Sequence, residues 1–351
     1  MTLEEAIASV RNVDASAAVD TQRRLDRLTK PQGSLGRLEE LAVQYCAMIG
    51  ERKPSVPRGV LFTLAADHGV VDEGVSAYPR DVTAQMVKNF LRGGAGVNVL
   101  ARHEGIEVRV VDIGVAHEFG PLPGLLDRKL MQSTRNMARE DAMPRDIAER
   151  ACAIGVDLAT AAAGEGVGLI GTGEMGIGNT TASAAITAVM TGSMVDHVTG
   201  RGTGIDEQGR KAKVEVIERA LARHRPDPMD AMDVLAKIGG LEIAGLAGLI
   251  VGCAAARIPV VLDGFIAGAA ALIACGLQPR CRHYLIAAHR SVERGHDVLL
   301  EHLQLKPLLD LELRLGEGTG ACLGMGLVQA AVKILVEMAT FGEAGVSERG
   351  S

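Results

Sequence analysis

One stretch, VGLIGTGEMGIGNTTAS at 167–183, constrains this chain of 351 residues more than any other. An apolar run from Val167 to Ile170 meets glycines at 171, 173, 176 and 178, and small helix-forming residues follow from Thr181. That order predicts a strand, a glycine turn and a helix. Glycine admits positive φ and close approach of a ligand, and a helix start offers unpaired N–H groups to an anion. The stretch is therefore expected to cradle a phosphate. Gly171, Gly173 and Gly176 also fit the G-x-G-x-x-G dinucleotide pattern, with Asp196 near the distance of a ribose-binding acid. Against that reading, Glu174 would stand in the turn where a pyrophosphate has to lie, and the turn is mid-chain. A carboxylate there suits a positively charged ring better than a second phosphate.

From Gly59 onward, apolar runs alternate with helical patterns, the signature of a parallel sheet covered on both faces. Strands are expected at 60–65, 106–112, 167–171, 259–262 and 284–288. Helices are expected near 81–91, 95–103, 144–163, 178–190, 205–222, 241–256, 264–275 and 291–302. The strand runs end in Asp67-His68, Asp112-Ile113-Gly114, Gly171-Thr172-Gly173, Asp263-Gly264 and Ala288-His289. In an open parallel sheet such ends gather where the ligand crevice opens, although Asp and Gly are also ordinary turn residues. Residues 3–50 read as helices around a KPQGSLG turn, with Val19, Leu25, Leu28, Leu38, Leu41, Tyr45, Met48 and Ile49 at helical spacing. Arg23, Arg24, Arg27 and Lys30, interleaved with Asp20 and Asp26, read as a solvated face. The expected class is α/β: a Rossmann-like, mostly parallel sheet flanked by helices over 56–320, with a smaller helical domain built from 1–55 and 321–351.

Composition narrows the function. A formal charge of −6, no long Lys/Arg run and only 2% aromatic residues argue against a nucleic-acid surface. With 47% hydrophobic residues, 43 glycines and no Trp, the core must be aliphatic and closely packed. The six cysteines (46, 152, 253, 275, 281 and 322) form no C-x-x-C and read as reduced thiols. MTLEEAIASV places acids where a signal peptide needs bases, so a cytoplasmic protein is expected. The longest apolar runs, Ile243 to Ala256 and Gly264 to Leu277, have 14 residues each, short of the ~20 of a membrane helix. Gly248 and Gly252 then read as close packing of a buried helix.

A second glycine cluster, GRGTGIDEQGRKAK at 200–213, again joins glycine amides to a helix start and adds Arg201, Lys211 and Lys213. Lys is a plausible point charge for a monophosphate. Lys211 and Lys213 cannot both face one way on a helix. In LGEGTG at 315–320, Glu317 stands between glycines ahead of a long apolar helix, Ala321 to Met338. It can complement the helix dipole or act as a general base in a crevice. Periodicity leaves both open, and the flanking glycines favour chemistry. His289, Glu293 and His296 would share a helix face, with Asp67 and His68 in reach, but no H-E-x-x-H is present, so no metal site is assigned. There is no G-x-S-x-G to anchor a Ser triad.

Nearly the whole chain resembles one family, the nicotinate-nucleotide:dimethylbenzimidazole phosphoribosyltransferases of cobalamin lower-ligand synthesis. The resemblance is carried by KPQGSLGRLE, AADHGVVDEGVSAYPRDVTAQMVKNFLRGGAGVNVLA, GEMGIGNTTASAA, GRGTGIDEQGRKAK, GGLEIAGLAG, PVVLDGFIAGAA, AAHRSVERGH, LRLGEGTGACLGM and EMATFGEAGVS. The connection from His117 to Arg145 is the least familiar part. The resemblance implies phosphoribosyl transfer from nicotinate mononucleotide to 5,6-dimethylbenzimidazole, giving α-ribazole 5'-phosphate and nicotinate. Because no pyrophosphate departs, no cofactor or Mg²⁺ is implied. By the same resemblance Glu317 is the general base and Glu174 supports the developing sugar cation or the nicotinate ring. Gly173, Gly176, Asn179 and Thr180, with Gly202, Gly204 and Lys213, would hold the mononucleotide. Tyr78, Gln85 and Leu315 would line the slot for the flat base, and a homodimer is implied. The rival readings are an NAD(P)-binding oxidoreductase and a non-catalytic nucleotide-binding protein, the latter disfavoured by retention of Glu174 and Glu317.

Overall fold

Gly59–Ala66 is buried along its whole length, as a strand must be when helices cover both faces of a parallel sheet. In the computed structural model, which describes residues 1–347, it is β1 of a six-stranded sheet. The other strands are β2 (Glu107–Gly114), β3 (Leu125–Asp127), β4 (Leu169–Met175), β5 (Val260–Leu262) and β6 (Leu285–Ala287). All pairings are parallel, in the order β3-β2-β1-β4-β5-β6. Strand order therefore reverses between β1 and β4, and a crevice is expected beyond their carboxyl ends.

Three helices precede the sheet: α1 (Leu3–Ser9), α2 (Ala15–Leu25) and α3 (Arg37–Ile49). α4 (Asp81–Arg92) and α5 (Gly96–Glu104) connect β1 to β2, and α6 (Arg145–Gly164) leads into β4. Between β4 and β5 lie α7 (Asn179–Thr191), α8 (Val195–Val198), α9 (Glu207–His224), α10 (Ala231–Ile238) and α11 (Leu241–Ala255). α12 (Phe265–Leu277) joins β5 to β6, and α13 (Arg294–Leu303), α14 (Thr319–Glu337) and α15 (Phe341–Ala344) follow.

Side chains alternate across β1, and the alternation assigns its faces. Leu64 packs against α11, where a Cβ on Gly245 would lie 2.6 Å from it. Leu61 and Thr63 face α14 and the loop ahead of it. α14 also packs on α3, so the N-terminal helices join the C-terminal one. α14 is long and apolar enough to cross a bilayer, although polar Gln329 and Lys333 interrupt its apolar run. Here it packs on β4, β5 and β1.

The structure corrects several expectations. β4 runs through the glycines to Met175 instead of ending at 171. A Cβ on Gly171 would lie 2.6 Å from Met325 Sδ, and one on Gly173 would lie 2.2 Å from the Glu317 carbonyl oxygen. These glycines give clearance to α14 and its loop, and the dinucleotide turn does not form. A sixth strand, β3, lies in the 117–145 connection; three residues at a sheet edge are too few for a periodic signal. α10, with Asp230 capping its start, is also additional to the expected helices. α13 begins only at Arg294, so His289 and Glu293 precede it and share no helix face with His296. Val19 is exposed. Lys30 is buried rather than solvated, paired with buried Glu39 at 2.8 Å. All six cysteines are free thiols, five of them buried.

Aromatic-poor packing is resolved by glycine. α6 crosses α11 so closely that a Cβ on Gly155 would lie 2.0 Å from the Gly245 carbonyl oxygen, and one on Gly248 would lie 1.9 Å from that of Cys152. Gly252 meets Val156 and Ala159 in the same crossing. Gly248→Ala must push the two backbones apart, and a loss of about 1–3 kcal/mol is expected for overpacking of this kind. Urea unfolding measures it; an unchanged midpoint would show that the crossing opens without cost.

Candidate active site

Three segments meet beyond the carboxyl ends of β1, β4 and β5. The first is the end of β4, where Glu174 is the penultimate strand residue and Gly176-Ile177-Gly178 turns the chain into α7. Gly178 takes φ +95°, in the left-handed region. A Cβ on Gly176 would lie 2.4 Å from the Ala66 carbonyl oxygen. α7 starts with no side chain capping its first turn, which leaves its positive end available to an anion.

The second segment is the 200–206 loop. Gly202 lies against Thr180, and the buried Lys213 of α9 donates from Nζ to Thr180 Oγ1 at 2.7 Å. Burial pushes the Lys213 pKa down to about 8. Its hydrogen bond is to a hydroxyl, and the Glu293 carboxylate opposes the lowering. Lys211, two residues away, is exposed. Thr203 Oγ1 accepts from the Ala77 amide at 3.0 Å and ties this loop to the segment carrying Tyr78.

The third is the turn at 316–318, three successive left-handed residues with φ of +79°, +64° and +104°. Its glycines pack tightly: a Cβ on Gly316 would lie 2.3 Å from Glu174 Oε1. The two acids are thus brought to one place from β4 and from the loop before α14. The buried Glu317 carboxylate accepts at Oε2 from the Val97 amide at the start of α5, at 3.2 Å.

These segments wall a cavity of about 270 Å³. Of the residues expected at the site, Tyr78, Glu174, Gly176, Asn179, Thr180, Gly202 and Leu315 lie on its wall. Lys213 stands behind Thr180 and Gly202, and Glu317 follows the wall residue Gly316. Gly173 lies beneath the Glu317 turn. Gly204 opens onto an adjoining hollow that shares Gly202, Glu293 and Arg314 with the first. Gln85 lines a different hollow, with Asp67, Arg80 and Lys88. Tyr78 and Leu315 are 54% and 60% exposed, so neither is a core residue; they form an accessible rim. His289, Ser291, Glu293 and Arg314 also reach the wall. The ending of β6 in Ala288-His289 was a signal for the first; for Arg314 the sequence carried none beyond its position beside Leu315.

Acidic side chains are concentrated here. Burial first, then the nearby carboxylates of Asp263, Glu242 and Glu317, raise the Glu174 pKa to about 8 against the opposing Asn179 amide. Burial likewise raises Glu317, opposed by the Val97 amide and reinforced by Asp263. The site can bind an anion at the α7 start, receive a positive ring at Glu174, and take up a proton at Glu317.

The family described as phosphoribosyltransferase matches the chain over residues 10–346. The nicotinate-nucleotide--dimethylbenzimidazole phosphoribosyltransferase of Geobacter sulfurreducens is 60% identical over 346 residues, covering 99% of this chain and 98% of that protein. The protein of the same name from Chloroflexus aggregans is 56% identical over 347 residues, with 99% and 98% covered. The crystal structure of CobT from Thermus thermophilus superposes with a TM-score of 0.91 at 49% identity, covering 95% of this chain and all of that one.

The raised Glu174 pKa sets a stability trend. The folded carboxyl keeps its proton up to about 8, against 4.5 ordinarily. Its contribution is complete at low pH and is lost as pH rises through that window. Lys213, lowered to about 8 from 10.5, penalises the fold below pH 8 and is relieved only above it. Urea unfolding of wild type and Glu174→Gln at about pH 5.5 and about pH 8 is the check. The variant should lose less stability between the two; equal losses would exclude Glu174 as the titrating group.

Proposed function

This chain belongs to the nicotinate-nucleotide:dimethylbenzimidazole phosphoribosyltransferase family, and we propose that its cavity transfers phosphoribose from nicotinate mononucleotide to 5,6-dimethylbenzimidazole, releasing nicotinate. The observation that carries the residue assignments is the meeting of Glu174 and the Glu317 turn beside the uncapped α7 start and Lys213.

The phosphate binds at Gly176, Asn179, Thr180, Gly202 and the α7 amides, and Lys213 gains its counter-charge there. Gly173 acts beneath this cradle and Gly204 at its outer edge. The pyridinium ring lies toward Glu174, whose proton passes to bulk solvent through the exposed Tyr78–Leu315 rim as the positive charge arrives. The bond from C1' to the ring nitrogen breaks with its electron pair going to that nitrogen, which neutralises the pyridinium. Charge develops on the sugar, and the ionised, buried Glu174 stabilises it. One ring nitrogen of the dimethylbenzimidazole, held flat by Tyr78 and Leu315, forms the new bond to C1'. The proton on its other nitrogen passes to Glu317. The product is α-ribazole 5'-phosphate.

A homodimer in the cytoplasm, and a small domain of 1–55 with 321–351 set against the sheet domain of 56–320, belong to the same proposal. α3 packs on α14, which joins the two parts of that small domain, and α14 in turn packs on the sheet.

Incubating the protein with both substrates and no added metal should release nicotinate. Glu317→Gln is expected to fold and bind nicotinate mononucleotide yet lose about 10²–10⁴ in kcat, the usual worth of a positioned base. Near-normal turnover would remove Glu317 from that role. Lys213→Met should raise KM for the mononucleotide at least about tenfold, as loss of a charged hydrogen bond implies, with a smaller effect on KM for the base; an unchanged mononucleotide KM would place the phosphate elsewhere.

A further inference from the structure

The Glu317 turn is held by side chains that do not line the cavity. Asp263, the buried residue after β5, accepts from the Gly320 amide (2.7 Å) and the Ala321 amide (3.0 Å) at Oδ1. At Oδ2 it accepts from the Gly318 amide (3.2 Å). The amides of residues 320 and 321 are those that a helix start leaves unpaired and that a capping side chain ordinarily takes from the residue just before the helix. Here that residue is Gly318, which has no side chain, and the acid comes from 55 positions upstream. With α14 capped by Asp263, the carboxylate of Glu317 is not spent on the helix beside it and turns instead toward α5. Asp263 thus serves the start of α14, and the Glu317 carboxylate meets the first amides of α5 instead.

The other end of the turn is held from β1. Thr63 Oγ1 donates to the Glu317 carbonyl oxygen at 3.0 Å, over the bare Cα of Gly173. Thr172 Oγ1 in turn accepts from the Asp263 amide at 3.2 Å and fixes the acid's own backbone. Glu317 needs such restraint, because a non-glycine residue at φ +64° stores roughly 1–3 kcal/mol and persists only where its surroundings over-determine it.

We propose that Asp263, with Thr63, is a positioning residue for Glu317: the two grip the amides after it and the carbonyl of Glu317 itself, and so fix where its carboxylate meets the proton of the incoming base. The role rests on Glu317 being the proton acceptor, and neither positioning side chain lines the cavity. Asp263→Asn replaces one accepting oxygen by a donor that faces amide donors. Thr63→Val removes the hydroxyl at nearly constant shape.

The test is steady-state kinetics of the full chain with nicotinate release as the readout. Asp263→Asn is expected to lower kcat about ten- to a hundredfold, the usual cost of misplacing a catalytic group by about 1 Å, and to leave KM for nicotinate mononucleotide within about threefold. Thr63→Val should act in the same direction. In a Glu317→Gln background either substitution should cost less than about twofold more, because residues acting as one unit are not additive. A loss confined to KM, kcat near wild type, or a full additional loss in the Glu317→Gln background would overturn the positioning role alone. Wild-type turnover by Glu317→Gln itself would overturn both this role and the base assignment. If Asp263→Asn is recovered unfolded, Thr63→Val carries the same comparisons.

Discussion

The site depends on how closely two backbones approach: β4 at Gly171 and Gly173, and the turn and first half of α14 that lie on it. A side chain at either glycine would overlap Met325 or the Glu317 carbonyl. Because neither is there, the loop before α14 comes down onto the sheet at its topological switch point, and Glu317 arrives beside Glu174. Hydrogen bonds from Thr63 and to Asp263 then hold a conformation that the chain would not otherwise keep. Backbone clearance supplies the approach, and buried polar side chains supply the register.

The same economy of volume runs through the core. With almost no aromatic side chains, layers are brought together by removing atoms: α6 and α11 touch through glycine, alanine and cysteine. Dense interiors of this kind transmit displacement, since there is little free space to absorb it. The cavity walls inherit that rigidity, because α7 and α12 pack against each other and carry the Asn179-Thr180 and Phe265 walls.

Electrostatically, Glu174 and Glu317 stand on the side of β4 and the α14 turn, and the buried Lys213 lies beneath Thr180 on the side of α9, with Glu293 acting on it and Arg314 also on the wall. Burial raises the Glu174 pKa and lowers that of Lys213, each to about 8.

The sequence by itself determined the alternation of strands and helices, the parallel sheet and the convergence of strand ends, because these follow from periodicity and from the chemistry of residues that end apolar runs. Its long glycine-rich blocks determined the family. It named Glu174, Thr180, Lys213 and Glu317, yet read Gly171 and Gly173 as a turn when they are strand. A glycine that frees φ and a glycine that admits a neighbouring backbone look alike in one dimension. The three-residue β3 and the cross-chain cap of α14 by Asp263 were likewise decided only by the tertiary structure. The first has too few residues to show a period, and the second joins positions 55 apart, where local patterns carry no information about contact.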